Sequence, residues 1–360
     1  MRVLYAIQGT GNGHLSRARD IIPVLQKKHE VEILVSGSHA EVELPFPVKY
    51  RFNGLGFIFG ANGGIDILET YKKNYIKVLL TEINSLPVND YDLVINDFEP
   101  VSAWACYLKN KKCISVSHQA AVLNKEAPQP KDIDILGKAI LKNYAPSSVK
   151  YGFHFKAYAG NIFTPVIRKQ VRAQTVLNHG HYTVYLPAYD DQRIRNVLQL
   201  CGNTRWQVFS KHNKTVIREN NISIRPISND AFIESMATSE GVLCGAGFET
   251  PAEALYLKKK LMVIPMKGQF EQQCNAAALN EMGVPVIRSL KPEYADEIIK
   301  WIANGQHIEV NYPDSTEEII DKILSAHTCA TTAEPTVDNE YYFSAKKFRN
   351  MVLHKILAQI

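Results

Sequence analysis

VLCGAGFETPAEALYLKKKLMVIPMKGQFEQQCNAAALNEMGV, residues 242–284, carries two strand–turn–helix units end to end. The first apolar run closes on Gly245 and Gly247. A helix is expected from about Thr250, with Pro251 in the first turn, where a missing N–H costs nothing. The second run, KLMVIP, stops at Pro265, and a helix is expected from Glu271. Short apolar strands alternating with helices build a parallel sheet covered on both faces.

The same alternation extends outward in both directions. YTVYLP, WQVFS and ISIRP precede the stretch and read as further strands, with helices beginning near Asp191 and Asn229. In the first half RVLYAI, VEILVSG, DLVIND and CISVSH have the same character. HLSRARDIIPVLQKKH reads as a helix with Leu15, Ala18, Ile22 and Leu25 on one side, which Pro23 should kink or bound. The fold class is therefore α/β. At 360 residues the chain is too long for one ordinary core. We place one domain at 1–164 and a second at 165–328. TCATTAEPTVD then reads as a linker into a basic amphipathic helix, NEYYFSAKKFRNMVLHKILAQI, expected to pack on the body of the protein rather than on a membrane. Two tandem α/β domains make the cleft between them the expected ligand site.

The formal charge of +5 is mild. It suits an anionic ligand or a peripheral contact with an anionic membrane surface, and gives no argument for nucleic acid. The six cysteines form no CxxC pair, which fits reduced thiols and a cytoplasmic location better than a disulfide framework or a zinc site. The first residues lack a secretory apolar segment, and no run is long enough to span a bilayer.

GTGNGHLSRARD, residues 9–20, follows the first strand directly. Strand, glycine loop and helix together present backbone N–H groups to a polar or anionic group, with Gly11, Asn12 and Gly13 facing an acceptor or phosphate. A dinucleotide fingerprint fails here twice. His14 replaces the third glycine, and the second strand ends in Ser36 and Gly37 instead of a ribose-binding acid. An imidazole is largely neutral at cellular pH, so His14 is a candidate general base. Such a base works best with its tautomer held by a carboxylate. Asp97, at the carboxyl end of the DLVIND strand, is the candidate, although it could equally cap the helix containing Ala103 and Trp104. Asp92 should lie at the far edge of the sheet. His118 reaches the carboxyl edge and is given a lesser role in acceptor contact.

In the second half, Gly245, Gly247 and Phe248 up to Thr250 aim bare backbone and a helix dipole at an anion, most simply a diphosphate. Glu253 in the first turn could accept both hydroxyls of a ribose, or merely favour the dipole. Glu271, Gln272 and Asn275 share one helical face and offer donors and acceptors to a polyhydroxylated ligand.

Taken in order, VLCGAGFETPAEAL, VIPMKGQFEQQCNA and the N-terminal GTGNGH resemble the signatures of GT-B glycosyltransferases. The likeness is to the family 28 group, which includes the peptidoglycan N-acetylglucosaminyltransferase, and to UDP-glucuronosyltransferase-like enzymes. The resemblance implies two Rossmann-like domains facing a central cleft, with a final helix, here in 329–360, crossing back to the N-terminal domain. It further implies that Glu253 binds ribose, Gly245 to Thr250 the diphosphate, and Glu271 and Gln272 the donor sugar. His14, assisted by Asp97, would be the base. One departure is YLPAYDDQR, where related enzymes often carry a glycine-serine phosphate loop. Asp190 and Asp191 would repel a diphosphate there unless Arg193, Arg195 or Lys211 compensates.

The expected activity is inverting, metal-independent transfer from a nucleotide-diphosphate sugar, with uridine as the expected base, and with no cofactor beyond that donor. No DxD motif sits where a metal would bridge the phosphates, and no His/Cys cluster has ligand spacing. A nucleotide-sugar 2-epimerase and a non-catalytic nucleotide-sugar sensor are the alternatives. The glycine-rich, aromatic segment 52–75 is expected either to be a mobile loop on the side of a sugar, lipid-linked or small-molecule acceptor, or equally to send Phe57, Ile58 and Phe59 into the core.

Overall fold

The computed structural model describes residues 1–37, 44–55 and 73–328. Two sheets organise the chain. The first runs β1 (Arg2–Gln8), β2 (Glu30–Ser36), β3 (Tyr50–Phe52), β4 (Leu93–Asp97), β5 (Cys113–Ser117), β6 (Val149–Phe153) and β7 (Ile162–Phe163), in the spatial order β3-β2-β1-β4-β5-β6-β7. Every pairing in it is parallel. Its central strands are buried on both faces, which is why they read as unbroken apolar runs. The short strands β3, β6 and β7 carry too little apolar pattern to be expected from sequence.

The second sheet holds β8 (His181–Tyr185), β9 (Arg205–Ser210), β10 (Ile217–Glu219), β11 (Ile222–Pro226), β12 (Gly241–Gly245) and β13 (Lys260–Ile264). Its order is β10-β11-β9-β8-β12-β13, with only the β10–β11 edge pair antiparallel. Helices start at Asp191 and Asn229 as expected, and at Glu249 and Phe270, each one residue before the expected start.

Strand order reverses at β1/β4 in the first sheet and at β8/β12 in the second. A crevice opens at the carboxyl ends of the strands at such switch points. Register places Ile7 beside Asp97 and Cys244 beside Tyr185, so each motif loop leaves its sheet at a switch point. Pro23 does not end its helix, which runs continuously over Asn12–Gln26.

Helix Thr316–Thr328 lies against helix Asn12–Gln26 and so returns to the first domain. Ile320, Ile323 and Leu324 are buried in a core cluster that also takes in Ile21, Ile22 and Leu25, each such side chain contributing about 1.5–3 kcal/mol. The exposed pairs Lys27–Glu317 and Lys28–Asp321 add at most about 1 kcal/mol each. Residues 316–328 thus pack on the first domain, although the sequence division groups them with the second. The helix expected in 339–360, and most of the segment 52–75, fall outside the described residues.

Candidate active site

The glycine loop depends on backbone only glycine adopts readily. Gly11 has φ of 101°. A side chain at Gly13 would place Cβ 2.5 Å from the Glu249 carboxylate of the second domain. The loop delivers His14 to Asp97, the last residue of β4. Nδ1 of His14 lies 2.8 Å from Oδ1 of Asp97. Gln119 sets its amide nitrogen 3.4 Å from Nε2 of His14. Both contacts fit one tautomer, with the proton on Nδ1 and a lone pair on Nε2.

Asp97 is free for this because Glu99 caps the next helix, accepting from the N–H groups of Val101 and Ser102 at 2.7 and 2.6 Å. Phe98 turns the chain between them at a φ of 57°, which costs of order 1–3 kcal/mol for a non-glycine residue. Its ring lies parallel to the His14 imidazole. Asp92 sits at the opposite end of β4, accepting from the backbone N–H of Arg2.

Arg17, one turn after His14, is buried and donates to both oxygens of Asp97 at 2.7 and 2.8 Å. The same guanidinium donates to Glu249 across the domain boundary. Burial alone would raise the Asp97 carboxyl, but Arg17 and then His14 outweigh it and hold it below the usual carboxylate range. The Arg17 guanidinium is shifted upward despite its burial by Asp97 and Glu249.

A cavity of about 840 Å³ opens between the domains. Asn12 and Gly13 line it from the first domain, and Gly247, Phe248, Thr250 and Glu253 from the second. Nothing lies within 4 Å of where a Gly247 side chain would begin, so its backbone is bare toward the cleft. Arg19, Arg168, Lys211 and Lys214 bring cationic side chains to the same wall. Of the three cations considered against Asp190 and Asp191, only Lys211 lines this cavity. Arg193 donates to the carbonyl of Leu290, and Arg195 pairs with Glu219. The two aspartates do not line it either: Asp190 caps helix Asp191–Leu198 and Asp191 accepts from Asn213.

Several expected residues sit differently from the simple picture. Glu253 is 2% exposed and gives both carboxylate oxygens to Arg168, so a ribose would meet an ion pair rather than a bare acid. Asn275 is fully buried, its Oδ1 accepting from Nε2 of His118 and its amide nitrogen donating to the carbonyl of Ala246 at 3.1 Å. It braces the domain seam. His118 is 1% exposed, with Nδ1 2.8 Å from the carbonyl of Phe153 and Nε2 2.7 Å from Asn275. Its ring stacks on Phe248 with centroids 3.9 Å apart. Packing between the two domains thus covers the side chain expected at the acceptor. Burial also lowers its pKa, against the opposing charge of Glu271.

Glu271 accepts from Gln119 at 3.0 Å, which places it one residue away from His14. Gln272 accepts from the N–H of Met266 and lies beside Gly245. Arg17, Gln119, Arg168 and Lys214 escape the sequence reading. Arg17 alone had a local signal, since it shares a helical face with His14 at a spacing of three.

A model of glycosyl transferase family 1 matches residues 1–303. Among solved structures, a UDP-glucosyltransferase from Polygonum tinctorium capable of glucosylating indoxyl is 11% identical, with a TM-score of 0.55 over 96% of this chain and 98% of that one. MurG of Acinetobacter baumannii is 13% identical, with a TM-score of 0.53 over 90% of this chain and 99% of that one. UGT2 of Phytolacca americana, complexed with UDP-2fluoro-glucose and pterostilbene, is 11% identical, with a TM-score of 0.54 over 96% and 98%. No curated protein matches the chain. These likenesses carry the GT-B fold, and the family model spans both sheets. The chain belongs to glycosyl transferase family 1 and is a glycosyltransferase.

Proposed function

We propose that this glycosyltransferase is an inverting, metal-independent enzyme that uses a uridine-diphosphate sugar and a small-molecule or lipid-linked acceptor bearing a hydroxyl. The carrying observation is the 2.8 Å contact between His14 and Asp97 beside the interdomain cavity. Nε2 of His14 takes the acceptor's proton as the acceptor oxygen bonds to the anomeric carbon. The bond from that carbon to the diphosphate breaks, and its electron pair leaves with the diphosphate.

Charge on the leaving group is met by the N-terminus of helix Glu249–Tyr256 and by Lys211 and Lys214 of the cavity wall, which supports a role for protein groups where a metal would otherwise serve. Tyr185 and Phe232, in contact on the cavity wall, suit the flat face of a base. UDP appears with the Phytolacca americana relative, which supports uridine. Glu271, linked to His14 through Gln119, is placed for a donor-sugar hydroxyl.

Thermal stabilisation against UDP, UDP-glucose, UDP-N-acetylglucosamine, GDP-mannose, dTDP-glucose and NAD tests the donor. Saturation at about a hundred times Kd adds about 2.7 kcal/mol to stability. Stabilisation by uridine nucleotides is expected, and stabilisation by NAD alone or by none of the panel overturns the reading. Nucleotide release that needs an acceptor, with inversion at the anomeric carbon of the product, separates transfer from 2-epimerisation and from mere binding.

A further inference from the structure

The second sheet has a basic groove at the edge opposite the donor cavity. Cross-strand register sets Arg218 beside Ser223, Ser223 beside Gln207, and Arg205 beside His181. Arg225 and Arg205 each lie two residues from a member of that row, so alternation puts all three arginines on one face. The other face carries Trp206, Ile222 and Ile224 into the core.

Parallel sheets are normally covered by helices on both faces. Here helix Asn229–Thr238 covers β8, and a groove of about 430 Å³ remains between it and the strands β9, β11 and β10. His179 and the three arginines line the groove, and Glu234 is the one carboxylate among its lining residues. Two donors of the wall, Ser223 Oγ and Arg225 Nε, are shielded from solvent without a partner. Buried donors of this kind are costly until an acceptor meets them. Burial lowers the pKa of His181, and His179, Arg205 and Arg225 lower it further against its hydrogen bond to the carbonyl of Ser235.

We propose that this groove binds a phosphate-bearing anion, separately from the donor site. Arginine forks match phosphate oxygens in a way that point-charge lysines do not. Arg205 opens β9, and Ser210, which lines the donor cavity, closes it about 17 Å away, while Arg225 at the other end of the row stands next to Pro226 of that cavity's wall. An anion held here leaves the donor cleft open.

The test compares the full chain with the double variants Arg205→Gln/Arg218→Gln and Lys211→Gln/Lys214→Gln, each checked for an unchanged melting temperature. Binding of pyrophosphate by equilibrium dialysis, and sedimentation with phosphatidylcholine vesicles with and without phosphatidylglycerol, are measured at about 0.1 M salt, where exposed charges still act over about 10 Å. Loss of charge-assisted hydrogen bonds predicts at least about tenfold weaker binding in the arginine variant. The lysine variant keeps binding at the groove and loses only the separate share of pyrophosphate held in the donor cavity. A response to pyrophosphate alone identifies a free phosphate ligand, and a response to anionic vesicles alone identifies a lipid headgroup. Absence of both in the wild-type chain, equal binding in the arginine variant, or loss only in the lysine variant overturns the proposal. None of these outcomes depends on glycosyl transfer, so failure here is distinct from failure of the donor assignment.

Discussion

Arg17 donates to both oxygens of Asp97, and Asp97 in turn faces Nδ1 of His14 at 2.8 Å. Because Arg17 also donates to Glu249, one buried cation joins the imidazole of the first domain to the helix N-terminus of the second. In the proposed mechanism Arg17 is a positioning residue: it fixes Asp97, which in turn holds the imidazole proposed as base.

Replacing the base tests the arrangement most directly. His14→Ala is expected to lower kcat by about 10²–10⁴-fold while leaving the donor Kd nearly unchanged. Stopped assays for turnover and calorimetry for donor binding read the two separately. A large rise in donor Kd with unchanged kcat sinks the assignment of His14 as base.

Asp97→Asn removes the charge that holds the His14 tautomer and leaves Arg17 half-paired. Turnover should fall by about 10²–10⁴-fold, and stability by about 3–5 kcal/mol at neutral pH. The pH dependence follows from the depressed carboxyl. Asp97 titrates below its unfolded value of about 3.9, so its contribution is complete above about pH 4 and is lost as pH falls through the lower folded pKa. Melting temperatures between pH 6 and 2 should fall more steeply in the wild-type chain than in Asp97→Asn, and parallel curves would contradict this.

The pair Arg168–Glu253 predicts an asymmetry. Arg168→Ala strands a buried carboxylate and should cost about 3–5 kcal/mol. The double change Arg168→Met/Glu253→Gln leaves no buried charge and should recover most of that stability. If Glu253 also reads a ribose, the double variant remains weak toward the donor nucleotide although its melting temperature is restored. Full donor affinity in that variant would remove Glu253 from the binding site.

Two glycine substitutions should fail for different reasons. Gly13→Ala drives Cβ against the Glu249 carboxylate and should disturb its bond to Arg17, lowering both melting temperature and turnover. Gly247→Ala meets open space and should leave the melting temperature within about 0.5 kcal/mol of wild type in stability terms. Its added methyl stands in the donor cleft, so donor binding alone should weaken. Equal behaviour of the two variants in a thermal and calorimetric comparison would show that the loops do not meet the donor as drawn.

The elements that frame the site were legible because their signals are local. Apolar runs bounded by glycine, proline or polar residues mark β1, β4, β12 and β13, and a strand followed by a glycine loop marks each switch point. The order of motifs along the chain carried the family. The segments the reading missed, β3, β6, β7 and β10, are short or only partly buried, so propensity says little about them.

The sequence by itself determined the two α/β halves, the glycine loops and the choice of His14 and Asp97, since periodicity and turn chemistry act within a few residues. Only tertiary structure decided what those residues touch. His14 meets Asp97 across 83 positions, and Arg17 meets Glu249 across 232. Packing at the seam buried His118 and Asn275, which the pattern alone had offered to ligands, and it paired Glu253 with Arg168. The physical reason is desolvation: a polar side chain's environment is set by whatever surfaces close over it, and those surfaces come from distant parts of the chain.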